Sequence, residues 1–315
     1  MKKVAVTGSS GYIGGQTAIA LKEQGYYVIG LDLRPAPQHL VQYFDEVYCQ
    51  DVETGSTVLS TADAIVHCAG TSLVGPSILN PAEYYHNNPG KTAKLLNELH
   101  QRGWKGHFVF SSSAATYGEP INNESLTENS LQLPINPYGN SKLHCEQIIK
   151  DSSVAYQFSA TVFRYFNACG ADPKARHGQE PGATHLIARV CEKALGIGPF
   201  SLYGNDYPTP DGTCIRDYIH VYDIARAHIA AIEKAEHGFH VYNIGTNQGY
   251  SVKEIIQAVR QWTSNDIEYD VIERRIGDPA RLVANGSFFQ TQFNWKPLYS
   301  DIGTITQTAW NWYNK

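Results

Sequence analysis

Tyr138 and Lys142 stand at i and i+4 of a predicted helix, and Ser113 precedes them at the end of a predicted strand. On a helix these two positions share a face, so the Lys142 ammonium sits one turn from the Tyr138 phenol. A phenol ordinarily ionises at about pH 10, and general-base service at neutral pH needs a drop of about three pH units, about 4 kcal/mol. One ammonium at about 4 Å in an effective dielectric of about 20 supplies about that much. Ser113 can hydrogen-bond the same substrate oxygen and relay the proton. Together the three side chains can take a proton from an alcohol while a nicotinamide accepts the hydride. A surface helix pair is the better explanation of Tyr-x-x-x-Lys alone; the opening of the chain makes it the poorer one.

That opening is Gly8-Ser9-Ser10-Gly11-Tyr12-Ile13-Gly14, between a predicted strand over Lys3–Thr7 and a predicted helix over Gly14–Gln24. The spacing is a variant of the dinucleotide fingerprint. Gly8 permits the tight turn, Gly11 lets the backbone approach a pyrophosphate, and Gly14 lets the helix pack close to the sheet. The free N–H groups of the helix start, around Tyr12 and Ile13, then face the phosphates. Asp32 ends the second predicted strand, where an acid accepts hydrogen bonds from an adenosine ribose and favours NAD over its 2′-phosphorylated counterpart. Arg34 complicates that preference. Asp51 and Val52 are placed to meet the adenine edge, Cys68, Ala69 and Gly70 offer small residues beside the cofactor, and Asn88 completes the candidate contacts.

These groups need a scaffold, and the first half of the chain alternates apolar strands with amphipathic helices. Strands are predicted at Tyr27–Asp32, Ala64–Cys68, His107–Phe110 and Thr161–Phe166, with helices from Pro81 to about His100 and from Tyr138 to about Asp151. Such alternation predicts an α/β fold, a Rossmann-type doubly wound parallel sheet. After Asn167 the character changes. Gly, Pro and charge crowd 170–182, Leu186–Leu195 reads as a helix, Tyr207–Gly212 as a turn cluster, and Ser251-Val252-Lys253-Glu254 as a capping box. We expect an NAD-binding domain over 1–166, returns to the sheet at about 217–245, and a smaller interleaved C-terminal lobe over 167–315 that holds mainly the substrate.

Composition sets outer limits. Hydrophobic residues make up 42% and charged residues 17% of the chain, the balance of a globular domain rather than of a disordered segment. A formal net charge of -5 gives no electrostatic case for nucleic acid or an anionic membrane. The apolar run at the N-terminus breaks at Thr7-Gly8, too early for a signal peptide. The six cysteines are scattered without a Cys-x-x-Cys pair, which reads as reduced thiols in a cytoplasmic protein and supplies no metal site.

With these motifs in view, the sequence resembles the extended short-chain dehydrogenase/reductases, and within them the UDP-glucose 4-epimerase group. The likeness is carried by Gly8–Gly14, Ser111-Ser112-Ser113-Ala114, Pro137-Tyr138-Gly139-Asn140-Ser141-Lys142 and Arg164-Tyr165-Phe166-Asn167. It continues through Tyr203-Gly204-Asn205-Asp206-Tyr207-Pro208-Thr209-Pro210-Asp211-Gly212-Thr213, Arg216-Asp217-Tyr218-Ile219-His220-Val221 and Arg274-Arg275-Ile276-Gly277-Asp278. The resemblance implies retained NAD, a UDP-sugar substrate and a 4-keto sugar that turns about its diphosphate link before hydride returns. It implies diphosphate contacts from Arg216 and Arg275, a phosphate–sugar contact from Asn167, a ribose contact from Asp278, and a nucleotide wall that includes Leu186 and Tyr203. It also implies a homodimer built through the helices that start at Pro81 and Tyr138.

The chain departs from that pattern in places. Ala115 stands where the family has a threonine, and the displaced Thr116 need not replace its hydroxyl, because adjacent residues point to opposite sides. Ser72 replaces a lysine near the cofactor. Leu282, at the position resembling the sugar-pocket gatekeeper, leaves open glucose/galactose, their N-acetyl forms, a pentose or a uronic acid. A 4,6-dehydratase would need an acid–base pair where this chain has Ala114 and Ala115. A net dehydrogenase or reductase, and a non-catalytic NAD-binding sensor, are the remaining alternatives.

Overall fold

The computed structural model describes residues 1–120, 124–275 and 278–315. The segment Val4-Ala5-Val6 is fully buried on both faces, as a near-continuous apolar run must be when it forms the middle of a parallel sheet. It belongs to β1 (Lys3–Thr7), which is followed by α1 (Tyr12–Glu23), β2 (Tyr27–Asp32) and β3 (Glu46–Cys49). After the short α2 (Ser56–Leu59), β4 (Ala64–His67) pairs with the other edge of β1. Next come α3 (Val74–Leu79), α4 (Pro81–Tyr85), α5 (Lys91–Gln101), β5 (His107–Ser113), α6 (Pro137–Tyr156) and β6 (Ser159–Tyr165).

The large sheet has seven strands, all parallel, in the order β10-β6-β5-β4-β1-β2-β3, with β10 at Phe239–Ile244. Strand order reverses between β1 and β4. The crevice beyond their C-terminal ends is where an open α/β sheet receives its ligand. One face of the sheet packs on α1 and α8 (Val221–Lys234) through Ala18, Leu21, Ile224 and Ile232. The other packs on α5 and α6 through Leu95, Leu96, Leu99, Cys145 and Ile149.

The helix expected from Pro81 to His100 is interrupted. Residues His86–Gly90 form one wide π turn between α4 and α5, with Pro89 inside it. A proline lacks the N–H for the helical ladder and its ring clashes with the preceding turn, so the bonding re-registers here. The bulge carries Asn88, one of the candidate site residues.

The second lobe has its own small sheet, in which β9 (Ile215–His220) pairs with β7 (Asn167–Cys169), β11 (Gly249–Ser251) and β13 (Arg281–Leu282). Beside it lie α7 (Leu186–Ala194), the pair β8 (Ser201–Tyr203) with β12 (Asp270–Ile272), α9 (Val252–Arg260), α10 (Ser287–Phe293) and α11 (Ile302–Tyr313). Within the return expected at about 217–245, only β10 joins the large sheet; β9 does not. The buried Asp217 carboxylate on β9 accepts N–H groups of Thr246, Asn247 and Ala284, which tie that strand to the second lobe. Burial raises its pKa to about 6 against those hydrogen bonds. At the start of α9, Ser251 and Glu254 form the expected capping box.

Candidate active site

The glycine loop joins β1 to α1 at the β1/β4 crevice. Gly8 has φ +67°, and a Cβ there would lie 2.7 Å from the Ala69 N. A Cβ on Gly14 would lie 2.2 Å from the Gly8 O, so the helix touches its own entry loop. Gly11 caps α1 without any side-chain hydrogen bond, which leaves the first amides of the helix, at Tyr12 and Ile13, open toward the crevice. The Tyr12 phenol turns away and donates to the Gly170 O at 2.6 Å, and the Ile13 side chain packs on the sheet core. These amides and the bare loop fit a pyrophosphate.

Asp32 sits at the end of β2 and accepts from the backbone N of Ser10 (3.0 Å) and of Arg34 (2.9 Å). That fixes its carboxylate at the loop, where the ribose hydroxyls of a dinucleotide would lie. The Arg34 guanidinium faces Glu180 at 3.3 Å in an exposed pair. Asp51 is held by Lys91 Nζ at 2.5 Å. Burial works to raise its pKa, but the Glu53 amide and the Lys91 ammonium outweigh burial and hold it below the usual carboxylate value. The Val52 side chain lies in the core, so only its backbone can face a ligand. Cys68, Ala69 and Gly70 follow β4 directly. Asn88 accepts from Thr71 N (2.8 Å) and donates to Thr71 O (3.0 Å) and Ser141 Oγ (2.8 Å), which makes it a strut between this loop and α6.

Ser113 ends β5, and Asn136 caps α6 by accepting from Gly139 N, so helix and strand deliver their reactive groups to the same crevice. Lys142 is buried, with Nζ donating to the Ser111 O at 2.8 Å and lying 4.8 Å from the Phe110 ring centroid. Tyr138 is 9% exposed, with its ring edge-on to Tyr84. Ser113 Oγ accepts from Ala115 N at 3.2 Å, which orients one lone pair and leaves its O–H and other lone pair for a relay. Thr116 Oγ1 is fully buried and donates back to the Ser113 O, so it does not stand in for the hydroxyl missing at Ala115. Ser72 is exposed.

Across the crevice, Arg216 is buried at the start of β9 and pairs with Asp278, while the Arg275 guanidinium stacks 3.9 Å from the Tyr203 ring centroid. Asn167, on β7, contacts Tyr218. Leu186 starts α7 and packs into the core of the second lobe. Ile276 and Gly277, the centre of the expected Arg274–Asp278 motif, lie outside the described residues. Sequence reasoning passed over Tyr207. Its phenol is buried beneath Arg274, whose guanidinium lies 4.2 Å from the ring centroid, and its hydroxyl has no partner among the described residues. Burial first, and then Asp278, push this group up to about 12. An unsatisfied buried hydroxyl is costly, and one beside Arg216 and Asp278 fits a polar ligand. The pattern Asp-Tyr-Pro gave no sign of it, because burial of that ring depends on the Arg274 segment folding back.

The sequence model of the NAD dependent epimerase/dehydratase family matches residues 4–245, which include the glycine loop and the Ser113, Tyr138 and Lys142 cluster. The chain belongs to this family. It is 40% identical to the UDP-glucose 4-epimerase of Halalkalibacterium halodurans over 99% of this chain and 96% of that one. It is 35% identical to UDP-arabinose 4-epimerase 1 of Arabidopsis thaliana, over 98% of this chain and 78% of that one. Its fold superposes with a TM-score of 0.92 on UDP-glucose 4-epimerase from Bifidobacterium longum in complex with NAD+ and UDP, 36% identical, covering 99% of this chain and 98% of that one. The superposition takes in the seven-stranded Rossmann-type sheet described above, since it covers 99% of this chain. Among the described residues no helix is long and apolar enough to cross a membrane.

Proposed function

We propose that this chain catalyses the NAD-dependent 4-epimerisation of UDP-glucose and UDP-galactose through a 4-keto sugar, with NAD retained. The observation that carries this reading is the convergence of Ser113, Tyr138 and Lys142 on the β1/β4 crevice, facing an arginine-bearing second lobe. Bound NAD supplies the acceptor and donor for one hydride. Tyr138 accepts the proton of the sugar 4-hydroxyl, Ser113 relays it, and the buried Lys142 ammonium stabilises the phenolate that results. Gly8, Gly11, Gly14 and the amides at Tyr12 and Ile13 hold the pyrophosphate, Asp32 the adenosine ribose, and the backbone of Asp51 and Val52 the adenine edge, with Cys68-Ala69-Gly70 bordering the cofactor.

On the substrate side Arg216 and Arg275 grip the diphosphate, Asn167 the phosphate–sugar link and Asp278 the ribose, with Tyr203 and Leu186 bordering the nucleotide. A firm grip on UDP and a loose one on the sugar let the keto sugar turn over. Incubation of the purified protein with UDP-galactose and no added NAD is expected to yield UDP-glucose, and Tyr138→Phe to lower the rate by about 10²–10⁴-fold. A protein that converts none of the UDP-hexoses, UDP-N-acetylhexosamines, UDP-pentoses or UDP-uronates, even with NAD supplied, refutes the epimerase reading.

One observation favours the wider reading, an epimerase of a UDP-pentose, uronate or N-acetylhexosamine. Leu282 packs, partly buried, against the apolar cluster that includes Tyr117 and Phe166, a smaller wall than a tyrosine would build. We further propose a cytoplasmic homodimer. Free thiols at all six cysteines accord with a reducing compartment. The apolar faces of α5 and α6 are turned into the chain's own core, so the dimer contact falls to the exposed end of α4 and the π turn, at Tyr85 and His86, and to the outer side of α6, at His144, Gln147 and Val154. Light scattering is expected to give twice the chain mass, and a monomer at micromolar concentration refutes this assembly.

A further inference from the structure

Directly beneath the crevice lies a charged network that the proposed chemistry does not use. Arg164 on β6 and Glu146 on α6 are each 4% exposed, yet they form a two-pronged ion pair, with Nη2–Oε2 at 2.7 Å and Nε at 3.1 Å from both carboxylate oxygens. Glu146 also accepts from the Ser112 hydroxyl and from Gln132 Nε2 at 3.2 Å. Arg164 Nη1 donates to the Tyr117 hydroxyl (2.9 Å) and to the Glu128 O (3.1 Å). The Tyr117 hydroxyl donates to Asn243 Oδ1 at 2.7 Å. Asn243 in turn donates from Nδ2 to the Leu126 O (2.8 Å) and from its backbone N to Glu128 Oε1 (2.8 Å).

Two features of this network go beyond holding a core together. Glu146 lies at i+4 from Lys142 and i+8 from Tyr138, on the same face of α6, and Ser112 is the immediate neighbour of Ser113. Fixing Glu146 against Ser112 therefore fixes the distance between the reactive face of the helix and the strand end that carries the relay hydroxyl. At its other end the network reaches Leu126, whose N donates to the Val283 O (2.9 Å) and whose O accepts from Asn285 N (2.7 Å). That pairing holds the strand carrying Leu282, the wall of the sugar pocket. A single arginine thus joins the catalytic floor to the wall that meets the sugar.

We propose that Arg164 and Glu146 are positioning residues that set Tyr138 and Ser113 in register with the Leu282 wall, acting through Tyr117 and Asn243. The inference rests on the epimerase reading for its kinetic test but not for its physical one. A planar guanidinium is required because Glu146 and Tyr117 are bonded by different nitrogens of one fork, a geometry that an ammonium cannot reproduce. The UDP grip, at Arg216, Arg275 and Asp278, lies outside the network.

Tyr117→Phe removes one oxygen and cuts the network between Arg164 and Asn243. It is expected to lower kcat for UDP-galactose at least tenfold while the Kd for UDP, measured by calorimetry, stays within twofold. Arg164→Lys, which keeps the charge, is expected not to rescue kcat. A Tyr117→Phe enzyme with kcat within twofold of wild type overturns the proposal. So does a parallel loss of UDP affinity, since that marks general loosening of the fold. Hydrogen exchange on the wild-type protein tests the same link without turnover or mutation. Amides of 124–133 and 282–285 are expected to open as one unit with a shared rate; independent rates overturn the coupling, whatever the protein's substrate proves to be.

Discussion

Gly14→Ala tests the cofactor cradle at its tightest point. A Cβ at this position would meet the Gly8 O at 2.2 Å, the Gly8 C at 2.8 Å and the Ser9 Cα at 3.1 Å. The first of these is more than ~1 Å inside ordinary non-bonded contact. All three atoms are backbone, so no side chain can swing aside, and relief requires α1 and the loop to separate by about 1 Å. Overpacking of this kind costs about 1–3 kcal/mol, and the absence of a flexible neighbour puts it near the upper end, about 3 kcal/mol. At about 2 °C per kcal/mol for a domain of this size, the thermal midpoint should fall by about 6 °C. A displacement of about 1 Å also carries the open amides at Tyr12 and Ile13 off the pyrophosphate, and misplacement on that scale costs about 10²-fold in function. The assay is the NAD content of the purified protein, released by acid and quantified per chain, alongside a thermal melt. Gly75→Ala is the control, since its Cβ would meet nothing within 4 Å, and it should change stability by no more than about 1 kcal/mol. Full NAD content with an unchanged midpoint in Gly14→Ala would refute the argument. A lowered midpoint with full NAD content would refute the cofactor half of it.

Lys142→Met keeps an apolar stem against Phe110 but removes the ammonium. Turnover should fall by about 10²–10⁴-fold and recover in part as pH rises, and a rate–pH profile of wild-type shape would show that the charge is not used. Five buried histidines make the fold acid-sensitive. Burial holds His67 and His228 down to about 3 and His107, His177 and His220 down to about 4, against an ordinary 6.5. The folded pKa values are lowered, so their stabilisation is present above about pH 6.5 and is lost as pH falls toward 4, at up to about 1.4 kcal/mol per pH unit for each. Asp217, raised to about 6, opposes this between about pH 6 and 4 with the weight of one group. Urea titrations at pH 7 and 5.5 should therefore differ by several kcal/mol, and equal midpoints would contradict the burial argument. Leu282→Tyr should cut turnover of UDP-N-acetylglucosamine at least about tenfold relative to UDP-galactose, and an unchanged ratio would remove Leu282 from the sugar wall.

Local signals carried most of the large sheet. Lys3–Thr7 and Tyr27–Asp32 end where turn chemistry and apolar runs said they would, and the capping box at Ser251 forms as its four residues predict. The glycine loop and the Tyr138, Lys142 and Ser113 cluster were legible because each rests on short-range geometry: a strand–turn–helix, an i,i+4 face, a strand end. These are properties of a few consecutive residues, and the backbone has few ways to satisfy them. Other features needed the folded chain. The π turn at His86–Gly90 and the bonds by which Asn88, on that turn, ties Thr71 to Ser141 are among them. β9 lies in the small sheet, and the donors that satisfy its buried Asp217 come from Thr246, Asn247 and Ala284, which no local pattern announces. The Tyr207 hydroxyl, without a partner among the described residues, the Arg34–Glu180 pair and the Arg164–Glu146 network share the same cause. Each depends on residues that the fold brings together from distant parts of the chain, and whether a polar side chain finds a partner is set by what packs against it, not by its neighbours in sequence.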